Sequence, residues 1–92
     1  MLKIELNKNL ENLNNMEFDY YIAYGEPDSL PWLFYTSEDN MIKYYNHFLS
    51  KGYRSVGIFK VEKDYKFKKG SIYNSSIDWN FVLDRCIKGV FK

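Results

Sequence analysis

Between Trp32 and Glu62 the sequence changes period twice, and those changes admit few folds. Trp32-Leu33-Phe34-Tyr35-Thr36 is a run of aromatic and β-favouring side chains, read as a strand. Ser37 or Thr36 then stands where a helix N-cap belongs, its side-chain oxygen able to accept an orphan backbone N–H. Glu38 and Asp39 fall in the first turn, where the helix dipole favours negative charge, and Lys51 falls in the last, where it favours positive charge. Met41, Ile42, Tyr45, Phe48 and Leu49 recur at the spacing of one apolar helical stripe, with Asn40, Lys43, His47 and Ser50 away from it. Gly52 supplies the left-handed residue that ends such a helix. Tyr53–Glu62 returns as a strand with apolar residues on both faces, which predicts a central position in a sheet. A strand-helix-strand of this kind suits a right-handed crossover whose two strands run parallel.

The flanking sequence adds strands and a second helix. Leu2, Ile4 and Leu6 alternate with Lys3 and Glu5, a short half-buried strand. Residues 7–16 hold five asparagines, which favour turns and caps over helix interiors. Glu17–Gly25 alternates cleanly and predicts a strand. The segment Gly25 to Pro31 has turn chemistry, so Trp32–Thr36 is expected to pair back antiparallel through a loop of about six residues. After a Lys63-Asp64 turn, Tyr65–Lys69 reads as the return strand of a second hairpin. Trp79, Val82, Leu83, Cys86 and Val90 then give a helical stripe, capped by Ser75 or Ser76, supported by Asp78 and closed by Gly89. The serine-started, Lys-Gly-ended likeness of the two helices is shared punctuation and not a duplication.

The expected fold is α+β in one domain spanning residues 1–92. A mainly antiparallel sheet of four or five strands carries two helices, at about 37–51 and 77–88, on one face. The element order is roughly β-β-β-α-β-β-α. Nine Tyr, seven Phe and two Trp supply the core, and aromatics in this excess also suit an interface. The single cysteine, Cys86, cannot form an intrachain disulfide and fits a reducing compartment. The N-terminus has no long apolar stretch of the signal-peptide kind, and no apolar run approaches the ~18 residues of a membrane span. The expected location is the cytoplasm, without membrane contact.

Charge is unevenly distributed. Residues 1–40 hold eight acids and two lysines, net −6, while residues 41–92 hold eleven bases and four acids, net +7. Either the halves form a dipole that meets charged partners, or they interleave in the sheet and the charges mix.

The sequence carries few of the residue patterns that chemistry needs. One Cys and one His cannot form a zinc site of the usual kind. Cys86 sits on an apolar stripe as a small buried hydrophobe, and His47 lies on the outer side of its helix. There is no nucleophile elbow, phosphate-binding loop or dinucleotide fingerprint. Gly57 stands mid-strand, where a helix ring packing over it is the expected cause. No enzyme, no metal and no cofactor is therefore expected. Two charged hairpins remain. Asp19, Glu26, Asp28, Glu38 and Asp39 form an acidic candidate surface near the first. Arg54, Lys60, Lys63, Lys66, Lys68 and Lys69 form a basic one on the second. Lysines interleaved with rings suit single-stranded nucleic acid, and they equally protect an exposed sheet edge. Tyr21, Tyr35, Tyr44 and Tyr73 are the expected exposed aromatics, and so the expected interface.

The functional expectation is a small non-enzymatic protein that binds another macromolecule. Eleven Lys, nine Asn and seven Ile against one Ala use A/T-rich codons, which suits a low-GC bacterium or its phage. The sharpest form is thus a viral or mobile-element inhibitor of host defence, such as an anti-CRISPR protein in the host cytoplasm. Its partner would be a protein, for instance a host protein that handles nucleic acid. The alternative is a nucleic-acid- or nucleotide-binding module that uses the Lys/aromatic hairpin 54–69.

Overall fold

A computed structural model describes residues 2–4, 18–63 and 77–92. It has the α+β class expected of the sequence. The strands are β1 (Leu2–Ile4), β2 (Phe18–Gly25), β3 (Trp32–Thr36), β4 (Ser55–Glu62) and β5 (Cys86–Phe91). They make one antiparallel sheet in the order β1-β5-β4-β2-β3. The helices are α1 (Met41–Ser50), entered through a 3-10 turn at Glu38–Asn40, and α2 (Trp79–Asp84).

The first hairpin forms as the turn chemistry predicts, with Tyr24 opposite Trp32 and Tyr20 opposite Thr36. β3 and β4 run parallel, as a crossover requires, but they are not neighbours. β2 lies between them and pairs antiparallel with both. β4 is central and buried along most of its length, the outcome its two apolar faces imply. Gly52 closes α1 with φ 88°, the left-handed region that costs other residues a Cβ clash. Ser37 occupies the N-cap position of the 3-10 turn but makes no side-chain cap bond. Its neighbour Thr36 instead donates its hydroxyl to the Ser37 carbonyl.

The two helices pack on opposite faces of the sheet, not on one. Met41, Tyr45 and Phe48 of α1 join Tyr20, Ile22, Val56, Ile58 and Ile87 in one core. Val82 in α2 and Ile77 just before it join Tyr21, Ala23, Phe59, Val61, Cys86 and Phe91 in the other. The sheet is thus covered on both sides, and each fully buried ring or branched side chain contributes roughly 1.5–3 kcal/mol.

The expected helix over 77–88 stops at Asp84, and Cys86–Phe91 is a strand inserted between β1 and β4. Asp78, and not Ser75 or Ser76, caps α2: its carboxylate accepts from the Phe81 N–H at 2.8 Å. The two serines lie outside the described residues, as does the return strand expected at Tyr65–Lys69. A β-bulge explains the misleading period. Ile58 pairs with Lys88 and Phe59 with Cys86, so Ile87 is an extra residue. Alternation is thereby broken, and the segment imitates helical spacing.

Gly57 and Gly89 sit directly opposite each other on β4 and β5. The ring that covers them is Phe91 of β5 and not a helix ring. A Cβ built on Gly57 would lie 2.6 Å from Phe91 Cζ. The paired glycines leave the floor on which the ring rests, and Trp79 meets it edge-on at 5.8 Å between centroids.

Candidate functional site

Among the described residues, β3 is an edge strand, with β2 as its one strand neighbour. Edge strands are usually protected by lysine, proline or inward-pointing charge. Trp-Leu-Phe-Tyr-Thr carries none of these within the strand. Its side chains alternate about the sheet. Leu33 is buried with Tyr21 and Ala23, and Phe34 packs against Tyr44 and Phe48 on the α1 side. Trp32 and Tyr35 remain 43% and 58% exposed, the two most exposed large apolar side chains among the described residues.

Tyr35 is held in place from below. It meets Tyr21, its cross-strand partner, edge-on at 5.3 Å, and its hydroxyl donates to Asp19 Oδ1 at 3.3 Å. Tyr21 in turn stacks on Phe59 at 5.6 Å. Burial pushes the Tyr21 phenol up to about 12, with the Asp19 carboxylate and Tyr35 adding to the shift. The Tyr21 phenol therefore stays protonated across the physiological range. The cluster orients an exposed ring.

A hollow lies at each end of this strand. Before it, a shallow depression of about 410 Å³ is lined by Asp28, Ser29, Leu30, Asp78 and Trp79. The Trp79 indole N–H donates to the Glu26 and Ser29 carbonyls, at 3.0 and 2.7 Å, and so ties α2 to the β2–β3 loop. After the strand, a cavity of about 250 Å³ is lined by Asp19, Tyr20, Tyr35, Thr36, Glu38 and Lys63.

The structure sorts the residues expected to form sites. Of the acids, Asp19 is buried, while Glu26, Asp28, Glu38 and Asp39 are exposed around β3. Of the bases, Arg54 and Lys63 are exposed and Lys60 is half-buried, its ammonium 4.2 Å from the Phe18 ring centre. Lys66, Lys68, Lys69 and Tyr73 lie outside the described residues. Tyr21 was expected to be exposed and is 2% exposed, because β3 and Phe59 enclose it. Tyr44 is half-buried against Phe34, and Tyr35 is exposed as expected.

The acidic and basic segments are not held apart. Gly25 pairs with Ser55, and this brings Arg54 Nε to 3.9 Å from Glu26 Oε2. Both side chains are more than half exposed, so the pair contributes about 0–1 kcal/mol. Here the sheet mixes the charges of the two halves.

Sequence reasoning missed Trp32, whose aromatic character was read only as strand propensity. It also missed Tyr53, 39% exposed, and the clasp made by Trp79. Pro31 just before Trp32 was the available signal for an edge position. His47 is exposed on α1, as its helical phase implies. Cys86 is buried, though on a strand, and burial pushes its thiol up to about 12. Among the described residues no group of three or more His, Cys, Asp or Glu is placed to hold a metal ion. No described helix is long and apolar enough to cross a membrane.

The fold and the site together define a small α+β domain with an uncharged aromatic sheet edge. No protein-family model matches this sequence, and searches of curated proteins and of solved structures find no match.

Proposed function

We propose that this chain is a non-enzymatic protein that acts by occupying another protein, with the β3 edge as its contact. The observation that carries this reading is the edge itself: five residues without charge or proline, presenting Trp32 and Tyr35 to solvent. Rings of this kind anchor interfaces because they bury large area at low cost in side-chain entropy. The most specific form of the reading is an inhibitor of a host defence system, encoded by a phage or mobile element and acting in the host cytoplasm. That form draws on the small size and A/T-rich residue usage, and the interface reading does not depend on it.

The basic surface supports a nucleic-acid partner less well. Of its described members, Lys60 lies over Phe18, Arg54 faces the Glu26 carboxylate, which offsets part of its charge, and Lys63 is exposed. A photo-crosslinking amino acid at position 35 tests the proposal in cells that produce the chain. A discrete protein adduct at position 35, with none from the same probe at exposed position 47, is the expected result. Equal adducts at both positions, or adducts to nucleic acid alone, would refute it.

A further inference from the structure

Charge selects what can lie against the edge. From Phe18 to Ile42 the chain has five acids, Asp19, Glu26, Asp28, Glu38 and Asp39, and no lysine or arginine. The exposed ones bracket β3: Glu26, which faces Arg54, and Asp28 precede it, and Glu38 and Asp39 follow it. Asp28 lines the hollow at one end and Glu38 the hollow at the other, the latter beside Lys63.

A second copy of this chain is a poor occupant. Antiparallel pairing of β3 with β3 would set Asp28 of one copy near Glu38 and Asp39 of the other. Parallel pairing would set each acidic end against its own copy. Like charges facing across strands are destabilising, so these acids oppose self-association through the β3 edge. Resting on the reading of β3 as a binding edge, we infer that the partner contributes an extended, basic segment that adds a strand beside β3. Its backbone would pair with the outer edge of β3, and its side chains would pack beside Trp32 and Tyr35. Lysine or arginine at its two ends would reach the carboxylates at the two hollows. Five paired residues span roughly 17 Å, so a segment of about seven to nine residues covers the strand and both ends.

The experiment is a selection of randomised nine-residue peptides, displayed on phage, against the full chain. Selection is repeated on the Asp28→Lys/Glu38→Lys/Asp39→Lys variant, after its circular dichroism and urea midpoint have been matched to the parent. Expected are peptides enriched in Lys and Arg near both ends, which slow amide exchange along Trp32–Thr36. They should bind the triple variant at least about tenfold more weakly, with affinity that falls as salt rises. Peptides that protect β3 but carry no basic excess, or bind the variant equally well, overturn the inference and leave the edge proposal standing. Selected peptides that leave β3 unprotected overturn both. A chain that sediments as a dimer with β3 protected, in the absence of any peptide, overturns the argument from like charge.

Discussion

Replacing Gly89 by alanine sets a methyl group inside the van der Waals envelope of the Phe91 ring. The added Cβ would lie 2.5 Å from Cε2, 2.6 Å from Cζ and 3.1 Å from Cys86 Sγ. Carbon–carbon contact is comfortable only from about 3.5 Å, so the ring must retreat by about 1 Å. Phe91 is 8% exposed and Trp79 stands at its side, which leaves little room for that retreat. Overpacking of this kind costs about 1–3 kcal/mol. Gly→Ala also stiffens the unfolded chain and returns about 0.4–1 kcal/mol. Gly89 is not among the glycines with positive φ, so backbone strain adds nothing. The net loss is therefore about 1–2 kcal/mol, or a fall in Tm of roughly 5–15 °C in a chain of this size. Urea unfolding with an unchanged m-value measures it. The decisive comparison is with Phe91→Leu, which deletes the ring atoms that the new methyl would strike. In that background Gly89→Ala should become neutral or slightly stabilising, a coupling of about 1–3 kcal/mol. An equal cost in both backgrounds would show that the Phe91 ring is not what requires glycine there.

Three further outcomes follow from described contacts. Asp78→Ala removes the side chain that accepts from the Phe81 N–H, and should cost about 0.5–2 kcal/mol by urea titration, while Asp84→Ala on the same helix costs less. Trp79→Phe keeps a ring beside Phe91 but deletes the indole N–H held by Glu26 and Ser29; a loss of about 1 kcal/mol, with faster amide exchange in residues 26–30, is expected. Stability should fall as pH rises from about 9 towards 12. Cys86 and Tyr21, whose ordinary values are 9.0 and 10.0, both keep their protons to about 12 in the fold, so the unfolded chain releases them first. Cys86→Ala and Tyr21→Phe should each flatten that decline, and an unchanged slope in both would contradict the burial of these two groups.

Local punctuation made much of the fold legible. The β2–β3 hairpin, α1, its Gly52 stop and the two-faced β4 each carry their own period and end signals, so residues within one element identify them. Three features escaped because they depend on partners distant in sequence. Cys86–Phe91 became a strand through pairing with β4, and the extra residue Ile87 hid its alternation. The helices took opposite faces because β2 and β4 bury both of theirs, a fact of sheet order that no single segment states. Tyr21 went inside because β3 lies beside β2 and Phe59 lies beneath it. The candidate site was legible in parts. Tyr35 and the bracketing acids were identified as isolated residues, but the edge that unites them with Trp32 appears only once β3 has a single strand neighbour among the described residues.

The strand order has a consequence for a growing chain. Leu2–Ile4 pairs with Cys86–Phe91, so among the described strands the earliest waits for one more than eighty residues later. β4 likewise has β2 on one side as soon as it emerges, while its other side stays open until β5 arrives. During that interval the β4 edge formed by Val56 and Ile58 lacks its β5 neighbour. Long-range closure of this kind is slow and exposes such edges to wrong neighbours. Chains truncated before Cys86 should therefore bind chaperones more in a pull-down than chains that include Cys86–Phe91, and equal binding would contradict this.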